Sequence, residues 1–374
     1  MKQTKSWGFS TGLLFLCASL VFSIIAEAQS FGIRGRLHMD ALYGISEAGE
    51  FVNGFNNRRA RMGMQGKIHD SWDGRIEIDF ADGGLEPKDF RMRRTFDHGG
   101  RLWIGQYKVP QGLNQLTSSV DITFIERSSV SNIVPDSRRI GLAYELFRND
   151  LGFKSMVFGR ALGQRGAMED DMPLGYALRG VFAPEINGSQ LHMGASVVYE
   201  DLKSNPGVRY RDRPEARDSK GGSIRYVDVS VPDAEHTFKT GVELLFINGP
   251  FSVEGEYLQT AVSTSGYHNP TFHGYHVQGS YVFNGGSRSY SKGLVGGVMP
   301  AEEGSGAWEA AVRYSVTDLN DGTYSGGDKQ RNITLALNRY VTSKLRFMGN
   351  VVIVNTDNLD RTPVLALIRA QYCF

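Results

Sequence analysis

The chain has 374 residues, 41 of them basic and 40 acidic, with 45 glycines, 12 prolines and aromatics at 11%. So even a balance argues against nucleic acid as partner, which calls for a basic surplus, and leaves any electrostatic role to the placement of charges. The glycine and aromatic content suits a chain of many strands and turns.

Lys2 and Lys5 precede an apolar run from Leu13 to Ile25 and then Ala26-Glu27-Ala28. That order reads as a secretory signal peptide over residues 1–28, cleaved near Ala28. The run is shorter than the roughly 20 residues of a transmembrane helix, and no later run reaches that length. Cys17 has no lipobox before it. Cleavage leaves basic and acidic residues equal in number and Cys373 as the single thiol, so the exported domain, 29–374, is expected to hold without a disulfide.

Strand patterns then follow almost without interruption. Residues 32–44 set Arg34, Arg36, His38 and Asp40 against Ile33, Leu37, Met39, Ala41 and Tyr43. Residues 55–69 set Arg59, Arg61, Gln65 and Lys67 against Ala60, Met62, Met64 and Ile68. Strand 72–81 opposes Arg75, Glu77 and Asp79 to Ile76, Ile78 and Phe80, and 87–97 opposes Arg91, Arg93 and Thr95 to Phe90, Met92 and Phe96, with Arg94 a basic exception. Strand 100–107 follows. Alternation of this kind gives each strand one apolar and one charged face. Residues 107–136 break the rhythm, and a segment of that length is usually functional. Strands resume at 137–147, 150–161, 173–184, 189–200, 236–247, 250–263, 271–284, 305–317, 328–341, 344–356 and 363–374. Long polar connections fall at 201–235 and 285–304, with the weak candidate Ile224–Val231 left in a loop. No helical periodicity appears.

In the last strand Val364, Ala366, Ile368, Ala370, Tyr372 and Phe374 line one face, and Arg369 and Gln371 the other. An amphipathic strand ending on an aromatic residue suits a closed barrel, whose last strand pairs with its first and whose lipid face carries interfacial aromatics. LALIRAQYCF also resembles the C-terminal signal of outer-membrane assembly, which makes the assembly machinery an expected partner through Phe374. The list holds sixteen strands, the even number a bacterial barrel with both ends on the periplasmic side requires. The expected fold is an all-β, sixteen-stranded antiparallel transmembrane β-barrel facing outer-membrane lipid. Alternate counting makes 107–136 the third extracellular loop, expected to fold into the lumen.

FNNRRARMGMQGKIHDSWDGRIEIDF (55–80), WIGQYKVPQGLNQLTSSVDITFIERS (103–128), RRIGLAYE (138–145), YRDRPEAR (210–217), GPFSVEGEY (249–257) and GAWEAAVRYS (306–315), in this order, resemble the phosphate-selective porin O and P family of Gram-negative outer membranes. The resemblance implies homotrimers and passive diffusion of small anions, phosphate in particular.

A pore needs a wide lumen, a constriction and charges that favour one sign of ion without trapping it. With polar faces inward, Arg34, Arg36, Arg59, Arg61, Lys67, Arg91 and Arg93 form a basic wall, and Glu243, Glu254 and Glu256 an acidic one opposite. Arg209, Arg211, Arg213 and Arg217 make a second group. In an extended segment the first three project to one side, about 6.5–7 Å apart, and resemble an arginine ladder for phosphate. Asp212, Glu215 and Asp218 interleave. Lys108 is a further candidate, and Asp121, Glu126 and Arg127 are candidate loop anchors. No metal site or cofactor is expected: His273 and His276 lie three apart in a strand, on opposite faces. No catalytic motif appears, so no enzyme activity is expected. The alternatives are a weakly selective general porin and a structural or adhesive barrel plugged by its loops.

Overall fold

The computed structural model describes residues 30–374 apart from 46–50, 164–173, 203–206, 218–223, 301–304 and positions 267, 325, 358 and 360. Residues 1–28, expected to be a signal peptide, and Asp218 lie outside the described residues. Sixteen wall strands are described: β1 Ser30–Ile45, β2 Phe51–His69, β3 Trp72–Asp79, β4 Glu86–Thr95, β5 Arg101–Lys108, β6 Arg138–Arg148, β7 Leu151–Phe158 and β8 Gly175–Phe182. The others are β9 Ser189–Asp201, β10 Ala234–Asn248, β11 Phe251–Thr264, β12 Thr271–Val282, β13 Ala307–Asp318, β14 Lys329–Tyr340, β15 Leu345–Thr356 and β16 Val364–Cys373. Each pairs antiparallel with its sequence neighbours, and β16 pairs with β1 from Arg36↔Cys373 to Ile45↔Val364, so the sheet closes. The closure runs to the final residue. Gly35 and Phe374 exchange backbone hydrogen bonds at 2.8 and 3.1 Å, and a Cβ at Gly35 would meet the Phe374 ring at 2.2 Å.

The pleat sends side chains alternately out and in. Outward positions carry the exposed apolar surface, as at Ile33 (63%), Met39 (55%) and Ile368 (63%), whereas Arg36, His38, Asp40 and Arg369 are buried inside. This is the expected polarity, apolar out and charged in. Arg94, the basic exception, faces out with its guanidinium 4.9 Å from the Phe96 ring centre and 6.0 Å from that of Trp72. Those ring faces accommodate a cation on an otherwise apolar surface.

Three features depart from simple alternation. The register slips between His38↔Arg59 and Met39↔Asn57, so Arg58 is the extra residue of a β-bulge. The inside is not wholly polar either. Leu42, Met348, Val352, Leu365 and Leu367 face inward and pack around Ile125 from the 109–137 connection. Finally, the long connections carry structure of their own. Residues Val208–Asp212 and Val227–Val231 form a hairpin within 202–233, and Ser287–Ser291 pairs with Leu294–Met299 within 283–306. The 224–231 candidate is therefore a strand, but outside the wall, which keeps the count at sixteen. The 109–137 connection holds two short helices, Leu113–Leu116 and Ser129–Ile133, too short for a sequence period to announce.

Candidate functional site

Inside the barrel lies a cavity of about 350 Å³ whose lining, among the described residues, includes Arg36, Arg58, Arg59, Arg61, Arg75, Lys88, Arg91, Lys108, Arg127, Arg138 and Lys154, but a single carboxylate, Asp89. The cations come chiefly from β1 to β7, and Lys108 and Arg127 border or belong to the 109–137 connection. Asp89 pairs with Arg75 (3.1 Å) and Arg138 (2.7 Å) on the lining itself, whereas other neutralising partners sit off it. Arg36 donates to Glu77 (3.1 Å), Arg61 to Asp79 (2.7 Å), Arg91 to Asp73 (2.9 Å) and Arg58 to Glu126 (2.6 and 3.0 Å). A guanidinium has five N–H donors in a fixed fork, so one edge can be held by a carboxylate while another remains for an ion. For Arg36, Arg58, Arg61 and Arg91 the cation lines the cavity and its carboxylate partner does not. Trp103 extends this without cancelling charge. Arg91 and Lys154 lie 4.5 and 3.9 Å from its ring centre, an attraction that positions both cations yet leaves their charge.

The 109–137 connection is fastened by its carbonyls. Inward-facing Arg313, Arg346 and Arg369 donate to the carbonyl oxygens of Glu126, Ile122 and Ile125, and Asn338 to that of Thr123, at 2.6–3.1 Å. Burial alone would push the Glu126 carboxyl up, but Arg58, Arg59 and Arg369 hold it well below the usual carboxylate range. It remains a charged anchor. Loops from both rims meet this connection. Ser129 N donates to Glu215 at 3.3 Å from one side, and Arg288 to the Asp121 carbonyl at 2.9 Å from the other.

Each sequence candidate can now be placed. Arg36, Arg59, Arg61, Arg91 and Lys108 line the cavity. Lys108 Nζ also donates to the carbonyls of Gln115, Leu116 and Thr117, fastening the short helix. Arg34 lies off the lining, 2.9 Å from Gln65 Oε1, and Arg93 pairs with Asp73 at 2.7 Å. The row at 209–217 is divided. Arg209 and Arg211 share the exposed face of the hairpin, and Arg209 is held bidentate by Asp228 at 2.6 Å. The strand ends at Asp212, and Arg213 and Arg217 lie half-buried beyond it. All four stand off the lining of this cavity. Three guanidinium groups on one side of an extended segment are therefore two, because Glu215 at φ +57° turns the chain inward, where its carboxylate accepts from Arg313 Nε at 3.1 Å.

The acidic wall needs a second correction. Glu243, Glu254 and Glu256 do face inward, but each is buried to 6% exposure or less and capped: Glu243 by Arg179 and His192, and Glu254 and Glu256 by Asn114. They anchor neighbouring segments instead of facing water across the lumen. β3 adds Arg75 to the basic wall, as its parity implies, but sequence reasoning missed Arg58, Lys88, Arg138 and Lys154 as cavity residues and read Arg127 only as a loop anchor. Lys154 could have been found, since it shares parity with the buried Met156 and Phe158. Arg58 could not, because the bulge breaks the two-residue period.

The sequence pattern of the phosphate-selective porin O and P family matches residues 31–374. An uncharacterized protein of Caulobacter vibrioides is 30% identical over 346 residues, spanning 86% of this chain and 68% of its own length. Among solved structures, OmpT of Vibrio cholerae superposes with a TM-score of 0.58 at 10% identity, covering 93% of this chain and all of that one. An anion-selective porin from Comamonas acidovorans gives 0.57 at 11% identity over 92% and 99%, and OprB of Pseudomonas putida 0.59 at 9% over 96% and 97%. At such identities the structures speak for the fold, and the family match for membership. The chain belongs to the phosphate-selective porin O and P family, and its closed sixteen-stranded wall is that of an outer-membrane porin.

Proposed function

We propose that this porin passes small anions down their gradient, with phosphate-like oxyanions favoured, and that the basic cavity is the selective part of the path. The observation that carries this reading is the lining of eleven cations against one carboxylate among the described residues. Guanidinium forks suit tetrahedral oxyanions, and carboxylates off the lining hold the forks of Arg36, Arg58, Arg61 and Arg91. The 109–137 connection acts as the constriction, folded into the lumen and braced by Arg313, Arg346 and Arg369. The signal peptide over 1–28 delivers the chain, Phe374 engages the assembly machinery, and the working unit is a homotrimer surrounded by lipid. The anion selectivity named for the Comamonas porin and the phosphate in the family's name agree with this proposal.

Recording in planar bilayers under a salt gradient tests it. A reversal potential on the anion side, with chloride current reduced by added phosphate, is the expected result. A reversal potential near zero would favour the general-porin reading, which the carboxylate partners of Arg36, Arg61 and Arg91 support. A chain that inserts without conducting would make it a plugged barrel.

A further inference from the structure

Glu254 and Glu256 of β11 and His276 of β12 form a cluster that conduction does not use. Glu256 and His276 are direct cross-strand partners, and Glu254 lies two residues along, so all three point inward from one patch. One ligand atom from each falls within 4.8 Å of the others. His276 Nε2 is 3.2 Å from Glu254 and Nδ1 3.8 Å from Glu256. Sequence spacing hid the cluster, because the ligands come from facing strands and the sequence pair His273 and His276 diverges.

Two separate observations point to a cation here. Glu243 and Glu309, buried nearby, each have an arginine, Arg179 and Arg288, but among the described residues neither Glu254 nor Glu256 has an arginine or lysine in salt-bridge range. Two adjacent buried carboxylates, 6% and 4% exposed, need compensation that one imidazole supplies only in part. The second observation is Asn114. Its carboxamide, 4% exposed, reaches Glu254 Oε1 at 3.1 Å through Nδ2 and leaves Oδ1 without a partner among the described residues. An end-for-end turn of that amide would bring an oxygen, the fourth donor atom, beside the carboxylate, at about the separation of two oxygens on one metal.

We propose that Glu254, Glu256, His276 and Asn114 bind one divalent metal ion of the zinc class. Two carboxylates and a neutral imidazole balance a doubly charged ion, and mixed imidazole and carboxylate donors suit zinc. Supporting contacts exist: Ser131 Oγ donates to Glu256 at 3.2 Å and Ser128 Oγ lies 3.1 Å from His276 Nδ1. Because Asn114, Ser128 and Ser131 belong to the 109–137 connection, the ion would rivet it to the β11–β12 wall.

The test uses the full mature chain in detergent, stripped with EDTA and titrated with zinc chloride, with zinc content read by mass spectrometry. One zinc per chain and a higher heat-unfolding midpoint are expected. Glu254→Gln with Glu256→Gln should abolish the uptake, and His276→Gln should weaken it about 10–100-fold. Ser131→Ala, which keeps all four ligands, should still bind. Absence of saturable uptake by the unaltered chain would overturn the proposal even if a variant fails to assemble, and so would uptake that survives the double substitution. Conductance enters none of these readouts, so failure here leaves the transport reading standing.

Discussion

Arg369 and Asp40 stand 329 positions apart in sequence, yet the guanidinium donates to both carboxylate oxygens, Nε at 2.6 Å and Nη2 at 2.7 Å. The pair ties β16 to β1 where the cylinder closes, at 0% and 3% exposure. Arg369 also donates to the Ile125 carbonyl at 2.6 Å, so the seam is tied to the 109–137 connection. Removing Arg369 leaves the buried Asp40 carboxylate without its counter-charge, which costs about 3–5 kcal/mol, whereas Arg369 without Asp40 keeps Glu126 at 3.1 Å. Arg369→Ala is therefore expected to lower the temperature at which the folded electrophoretic band converts to the unfolded one. Asp40→Asn combined with Arg369→Gln should cost less than the sum of the single changes. An unchanged conversion temperature for Arg369→Ala would remove the seam from the account of stability.

Selection should follow the cavity lining, not the outer arginines. Arg91→Gln with Lys154→Gln removes the two cations held over Trp103. The anion-to-cation permeability ratio, read from reversal potentials, should fall several-fold. Arg209→Gln with Arg211→Gln alters the exposed face of the hairpin and should leave that ratio within experimental error. The opposite ranking would move the selective step to the hairpin.

Glu215 reaches in from the 202–233 connection to meet Arg313, Ser315, Thr334 and Ser129 N. Its carboxyl, which burial alone would raise, is held below the usual range chiefly by the Arg313 guanidinium. Glu215→Gln leaves Arg313, 1% exposed, without its counter-charge. The hairpin should detach more readily, seen as faster protease cleavage between 208 and 231 and a larger single-channel conductance. If neither changes, Glu215 is not what holds that loop.

A pH dependence belongs to the same hairpin. Burial pushes the Asp212 carboxyl up to about 6, against a donated hydrogen bond from Asn132 Nδ2 at 2.9 Å. A carboxyl raised on docking is neutral in both states at low pH, so its contribution is complete below the ordinary carboxylate range and is lost as pH rises through about 6. Each pH unit in that window weakens docking by up to about tenfold. Protection factors of the strands Val208–Asp212 and Val227–Val231, taken against the intrinsic exchange rate at each pH, should be higher at pH 4 than at pH 7. Asp212→Asn should flatten the difference, and an unaltered profile in that variant would assign it to another group.

The wall was legible from the sequence because its code is short-range. Alternation at Arg36, His38 and Asp40 against Leu37 and Met39 states which side is wet, and an even strand count follows from where both ends must lie. The site was legible only in part, because its determinants are long-range. Whether Glu254 faces water or Asn114 depends on a segment 140 residues away. Arg91 declares its parity but not that Asp73 will stand behind it. The interior leucines at 365 and 367 read as noise until Ile125 arrives to cover them.

The bulge at Arg58 has a wider meaning. A pleated wall is a binary device in which neighbouring residues must serve opposite solvents. One extra residue suspends that rule locally, so Arg58 and Arg59 both serve the interior, and the inward positions pass from even numbers before the bulge to odd numbers after it while the pairing with β1 resumes. Evolution, or an engineer, can thus add or delete a lumen cation by a single insertion or deletion in β2, retuning ion preference without recomposing the lipid-facing surface.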